Sequence, residues 1–104
     1  MMNKNDRSEV EISYMKRIDG SGYYFEVKVR SVSQPHRLKL AIVERDSDER
    51  RNIGITAGAM AEEWGEQLNE DRDPDSAARA AMGAYDRLNE LNPIPRWGDE
   101  TPLA

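Results

Sequence analysis

Glu62, Glu66 and Glu70 recur every four residues, with Glu63 beside them and Asp71, Asp73 and Asp75 close behind. On a helix that spacing brings carboxylates onto one face about 6 Å apart, near the separation of successive phosphates along a nucleic acid strand. A surface built from Glu62, Glu63, Glu66, Glu70, Asp71 and Asp73 therefore resembles DNA or RNA electrostatically. It would fit a basic groove on a nucleic-acid-handling protein. The same spacing is also what the solvated side of an amphipathic helix shows.

A second set of candidates is basic. If the first half of the chain is a sheet, alternation places Arg17, Lys28, Arg30, Arg37, Lys39 and Arg45 on its solvent face, with Tyr24 among them and Glu11 and Glu26 diluting them. Arg30 is expected directly opposite Lys39, and like charges side by side on a sheet attract an anionic partner. Tyr24, Lys28, Arg30, Lys39 and Arg45 would then hold nucleic acid, the cations on phosphates and the ring stacked on a base. Lys and Arg also serve on open sheet faces simply to keep edges from aggregating.

Other chemistry finds no support in the residues. Asp71-Arg72-Asp73-Pro74-Asp75 starts like a calcium loop, but its sixth position is Ser76 instead of Gly and its twelfth is Met82 instead of Glu. Helix capping accounts better for Asp73 and Asp75. His36, the only histidine, lies in a turn beside Pro35, with no nucleophile or ligand patterned around it. Gly20 and Gly22 lie in a hairpin and form no phosphate loop. The chain has no cysteine, hence no disulfide, thiolate metal site or Cys nucleophile. The expectation is a protein with no catalytic residues, metal or cofactor.

The elements that must position these groups follow from hydrophobic period. From Val10 to Asp46 the period is two. Val10, Ile12, Tyr14 and Ile18 share one parity, the turn Asp19-Gly20-Ser21-Gly22 reverses the chain, and Tyr23, Phe25, Val27 and Val29 answer on the next strand. The expected register pairs Ile18 with Tyr23, Lys16 with Phe25, Tyr14 with Val27, Ile12 with Val29, and Glu11 with Arg30. A second turn, Ser33 to His36, leads to a third strand with Leu38, Leu40 and Ile42 on the buried face, opposite Ser31, Val29 and Val27. Ile53 and Ile55 fit a short fourth strand at the edge or an apolar lead into a helix, and the strand is the favoured expectation.

From Thr56, read as an N-cap, Met60, Ala61, Trp64 and Leu68 form one apolar helical stripe, which Gly58 and Gly65 weaken. Asp73-Pro74 starts a second helix lined by Ala77, Ala81, Ala84, Tyr85, Leu88 and Leu91, and Asn92-Pro93 stops it. The fold class is α+β: an antiparallel meander of three or four strands, then two helices packed on one face. Residues 1–8 are expected to be a disordered polar segment, 9–92 the single domain and 93–104 a Pro-rich tail in which Trp97 either docks on the domain or anchors a partner.

Charge follows this division. Residues 1–51 carry eleven Lys and Arg against nine Asp and Glu, and residues 52–104 carry four against eleven, together giving the net charge of −5. A net negative charge slows approach to nucleic acid, which ranks a protein partner first. With 104 residues, 38% hydrophobic and 34% charged, there is room for one thin core. No apolar run nears the about 18 residues of a membrane span, and neither a signal peptide nor an anchor is read, so a cytoplasmic monomer or homodimer is expected. The leading functional expectation is a small, acidic, non-enzymatic binding protein acting by nucleic-acid mimicry. Size and charge suit a phage or mobile-element inhibitor of host defence. The alternative is a nucleic-acid-binding module using the basic sheet face.

Overall fold

Three strands, β1 (Ser8–Lys16), β2 (Tyr23–Ser31) and β3 (Leu38–Glu44), form an antiparallel sheet in the order β1-β2-β3. Two helices follow, α1 (Glu49–Leu68) and α2 (Pro74–Leu91), completing the α+β fold expected from the sequence. The structure is a computed structural model that describes residues 8–32, 34–69 and 73–94. The expected polar segment at 1–8 lies outside them up to residue 7, as do Glu70, Asp71 and, of the expected tail 93–104, residues 95–104 with Trp97.

Both helices cover one face of the sheet, α2 over β1 and α1 over β2 and β3. Phe25, Val27, Val29, Ile53, Ala57 and Ala81 are fully enclosed between the layers, joined by Ile12, Val43, Met60, Trp64 and Tyr85. Ile94 belongs to the same core, and its N–H donates to the Asn89 side-chain oxygen at 2.9 Å. Among the described residues no helix is long and apolar enough to cross a membrane.

The first hairpin keeps the expected faces but shifts its register by two residues. Tyr14 faces Phe25, Ile12 faces Val27 and Val10 faces Val29. Ile18 leaves the ladder. It lies in a four-residue loop closed by the Arg17 N–H on the Gly22 carbonyl at 2.9 Å, and its side chain is fully exposed. Gly20, at φ 76°, supplies the left-handed residue that this loop needs.

The second hairpin departs further. Phe25 faces Val43, Val27 faces Ala41 and Val29 faces Lys39, a slip of one residue from the expected pairing. Because side chains alternate along a strand, one residue of slip exchanges the two faces. Leu38, Leu40 and Ile42 therefore point away from the helices, while Ala41 and Val43 pack under them.

Among the described residues there is no fourth strand, and Thr56 is not a cap. Helix α1 starts seven residues earlier, where the Asp46 carboxylate accepts from the Asp48 N–H at 2.8 Å and from Asn52 Nδ2, and the Asn52 N–H donates to the Asp48 carbonyl at 2.9 Å. Ile53 then belongs to the helical stripe that runs on through Ala57, Met60, Ala61 and Trp64. The glycines in this stretch are contact points between helices. A Cβ on Gly54 would come within 2.9 Å of Met82 Cγ, and one on Gly58 within 3.0 Å of the Pro74 carbonyl oxygen. Helix α2 starts and stops as expected: the Asp73 side chain accepts from the Ser76 N–H, Pro74 follows, and Asn92 ends it. Leu91 alone of its expected apolar side is largely exposed.

A candidate docking face on the open side of the sheet

The face away from the helices is sorted into columns, one per strand. Strand β1 contributes Glu9, Glu11, Ser13 and Met15; β2 contributes Tyr24, Glu26, Lys28 and Arg30; β3 contributes Leu38, Leu40, Ile42 and Glu44. Read across, Glu9 faces Arg30 and then Leu38, and Glu11 faces Lys28 and then Leu40. Each β2 cation thus has a carboxylate on one side and an aliphatic side chain on the other. Lys28 Nζ lies 4.0 Å from Glu11. At the far end Arg17 is paired with Glu44 and sits 5.3 Å over the Tyr24 ring.

Beside these charges, on the outer strand, the face is apolar up to Glu44. Leu38 is 45% exposed, Leu40 55% and Ile42 49%, and all three stand in one line along a strand that pairs only with β2 among the described residues. Exposed aliphatics scattered singly are ordinary, but a contiguous set rimmed by charge marks an interaction surface. Arg17, Ile18, Asp19, Tyr24 and Ile42 line a shallow cleft at one end of this column, and Glu9, Val10, Glu11, Lys28, Arg30 and Leu38 line another at the opposite end.

The basic row expected from the sequence is broken up by the same one-residue slip. Tyr24, Lys28 and Arg30 do lie on the open face. Lys39 lies on the helix side, its Nζ 2.8 Å from Glu63 on α1, and Arg30 faces Leu38 instead. Arg45 also turns inward: it lies over the Tyr23 ring at 5.8 Å and 3.7 Å from Glu49, with only 6% of its side chain exposed. Arg37 is exposed in the turn before β3, where its N–H donates to the Gln34 carbonyl.

The acidic set is divided as well. Glu62 and Glu66 are exposed, one turn apart on α1. Glu63 is engaged by Lys39 and by Gln67, and Asp73 is the cap of α2. Its hydrogen bond from Lys39 holds the Glu63 carboxyl below the ordinary glutamate value. A depressed value means that the pair's contribution to stability is complete above the unfolded-state value and is lost as pH falls through the lowered one. Following the Glu63 carboxyl by NMR should therefore give a midpoint below the ordinary range, and Lys39→Met should return it there. An unchanged midpoint in that variant would mean that the pair does not form in solution.

A polar cluster within the domain was not legible from spacing. The Tyr85 hydroxyl donates to Glu49 at 2.6 Å, Glu49 lies beside Arg45, and Tyr14 stacks on Tyr23 with ring centroids 5.1 Å apart. These residues lie far apart in sequence, on four of the five elements and the link before α1. They fasten the start of α1 to the end of α2 and to the sheet, and a second tie, Arg50 to Asp86 at 2.8 Å, runs alongside. Comparison with known protein families, curated proteins and solved structures finds no match to this chain.

Proposed function

We propose that this chain is a non-enzymatic binding protein that acts by occupying the surface of a partner protein, and that the contact is the open face of its sheet. The observation that supports this reading is the exposed column Leu38, Leu40 and Ile42, bordered by Lys28, Arg30, Glu9 and Glu11. A complementary partner surface presents an apolar strip with charge on one side. Interfaces take most of their affinity from a few enclosed side chains near the centre, and Leu40 holds that place here.

A second reading keeps the acidic helix as the contact, acting by competition at a nucleic-acid-handling protein. It rests on Glu62 and Glu66, which the fold leaves exposed on α1. Nucleic acid itself is the weaker partner, since Lys39 and Arg45 are turned inward and Lys28 is matched by Glu11.

The two contacts separate by substitution. Leu40→Lys with Ile42→Lys should weaken partner capture by about tenfold or more, the loss of roughly 1.4 kcal/mol of contact energy, and leave folding stability within about 0.5 kcal/mol because both residues are exposed. Glu62→Lys with Glu66→Lys should leave capture intact. Capture lost only in the second variant would replace the sheet face by the acidic helix. Binding to mixed-sequence DNA or RNA that weakens steeply with salt and depends on Lys28 and Arg30 would replace both.

A further inference from the structure

We infer that β3 pairs edge to edge with β3 of a second copy of the chain, antiparallel and centred on Leu40, so that two sheets join into one of six strands. This inference rests on the docking face just proposed, because the joined sheet is what completes that face. Leu38, Leu40 and Ile42 from each copy come together across the seam as one apolar patch, on the side away from all four helices.

The edge itself is the first observation. Natural sheets guard their free edges with charge, Pro, bulges or a covering element. Strand β1, at the other edge, has Glu9 and Glu11 on its open face and α2 packed on its other face. Strand β3 has seven residues with no Pro, no Gly and three aliphatics facing outward. Its one central charge, Lys39, is drawn under α1 by Glu63.

Charge then selects the register. A two-fold axis through the edge must set one β3 residue opposite itself, and like charges directly opposite one another are unfavourable. Centring on Leu38 sets Arg37 against Lys39. Lys39 at the centre faces Lys39, Ala41 at the centre sets Arg37 against Arg45, and Ile42 at the centre sets Lys39 against Arg45. With Leu40 at the centre there is no such clash: Leu38 meets Ile42, Lys39 meets Ala41, Arg37 meets Val43 and His36 meets Glu44. Of the five registers centred on residues 38–42, this one alone sets no cation opposite another, and it aligns the column Leu38, Leu40 and Ile42 with its own copy. The seam is small, well below the about 1,200 Å² of a stable complex, and each copy carries net charge −5. The pairing is therefore weak, in the micromolar range or above, and tightens as salt screens the repulsion.

The absence of cysteine makes the test direct. Single variants Leu38→Cys, Leu40→Cys and Ile42→Cys are oxidised in parallel, and sedimentation of the wild-type chain is followed from about 5 to about 500 µM, where mass action reveals weak association. Leu40→Cys should form a disulfide dimer about tenfold faster than either other variant, since directly opposed Cβ atoms lie about 5 Å apart. An equal mixture of Leu38→Cys and Ile42→Cys should cross-link as a pair. Sedimentation should show a dimer that Leu40→Lys abolishes without loss of the folded circular dichroism spectrum. Equal rates for all three cysteines, a faster rate for Leu38→Cys or Ile42→Cys alone, or a monomer throughout the concentration range would overturn the inference. A monomer that still loses its partner on Leu40→Lys with Ile42→Lys would leave the docking face standing. A Leu40-centred dimer whose partner capture ignores those substitutions would overturn the docking face and keep the pairing.

Discussion

Replacing Glu49 by Ala should cost about 3–5 kcal/mol, because it removes one member of a buried ion pair and leaves the other charge enclosed. Only 6% of the Arg45 side chain and 10% of the Glu49 side chain are exposed. At 3.7 Å they attract by charge over a gap too long for a good hydrogen bond, while the second Glu49 oxygen accepts from the Tyr85 hydroxyl at 2.6 Å. Ala at position 49 would take the carboxylate away from both the guanidinium and the hydroxyl. The penalty belongs to the loss of a countercharge beside a buried cation more than to the pair itself, and a double replacement tests this. Arg45→Met with Glu49→Leu should recover most of the loss, since a well-packed apolar pair is often as stable as a buried ionic one. Urea unfolding of the two single variants and the double variant closes the cycle. A Glu49→Ala loss below about 1 kcal/mol would mean that water reaches the cluster in solution.

Phe25→Ala should cost a similar about 3–5 kcal/mol for a different reason, the cavity left in a core that cannot close over it. Phe25 is fully buried, with the Tyr14 and Tyr85 rings each 5.3 Å from its own. It touches the sheet's first hairpin and α2 at once, so neither layer can move in without disturbing the other. A domain of this size has about 5–15 kcal/mol in total, and a thin core places it low in that range. The variant is therefore expected to be substantially unfolded at 37 °C, with loss of near-ultraviolet circular dichroism from the tyrosines. A cooperative thermal transition within about 5 °C of wild type would show that the site collapses onto neighbouring side chains.

How much of this was legible in the sequence depended on how one-sided each element is. In β1 and β2 the buried parity is strongly apolar and the other more polar, so their faces were readable, and only the position of the loop was misplaced: it lies one residue earlier than expected, which shifts the register by two. Strand β3 is apolar on both parities, with Leu38, Leu40 and Ile42 on one and Ala41 and Val43 on the other. Period alone then points to the larger side chains, and the decision falls to the connection after β2, which is one residue longer than the expected pairing requires. That single residue moved three aliphatics outward and two cations inward. It dissolved the basic row and exposed the apolar column that carries the proposed function. Helix α1 was cut short because Ile53 and Ile55 alternate as an edge strand would and Thr56 has the chemistry of a cap, whereas both isoleucines lie inside the helix, where Gly54 and Gly58 let α2 approach closely. Asp73-Pro74 and Asn92-Pro93 were readable because capping is local chemistry. The Arg45, Glu49 and Tyr85 cluster had no local signal at all.

The packing of α2 on β1 sets a schedule for the chain as it is made. Apart from the contacts that α2 makes with β1 and with Phe25 on β2, neighbouring elements lie nearer in sequence, so two hairpins and α1 can assemble as they emerge. The core face of β1, Val10 to Tyr14, lacks α2 until that helix is complete at Leu91, almost eighty residues later. At a synthesis rate of about 5–20 residues per second that is a wait of about 4–15 seconds with an apolar face open to other chains. The outward glutamates of β1, Glu9 and Glu11, lie on the strand that must endure it, and charge at such positions is what opposes strand-to-strand association of unfinished chains.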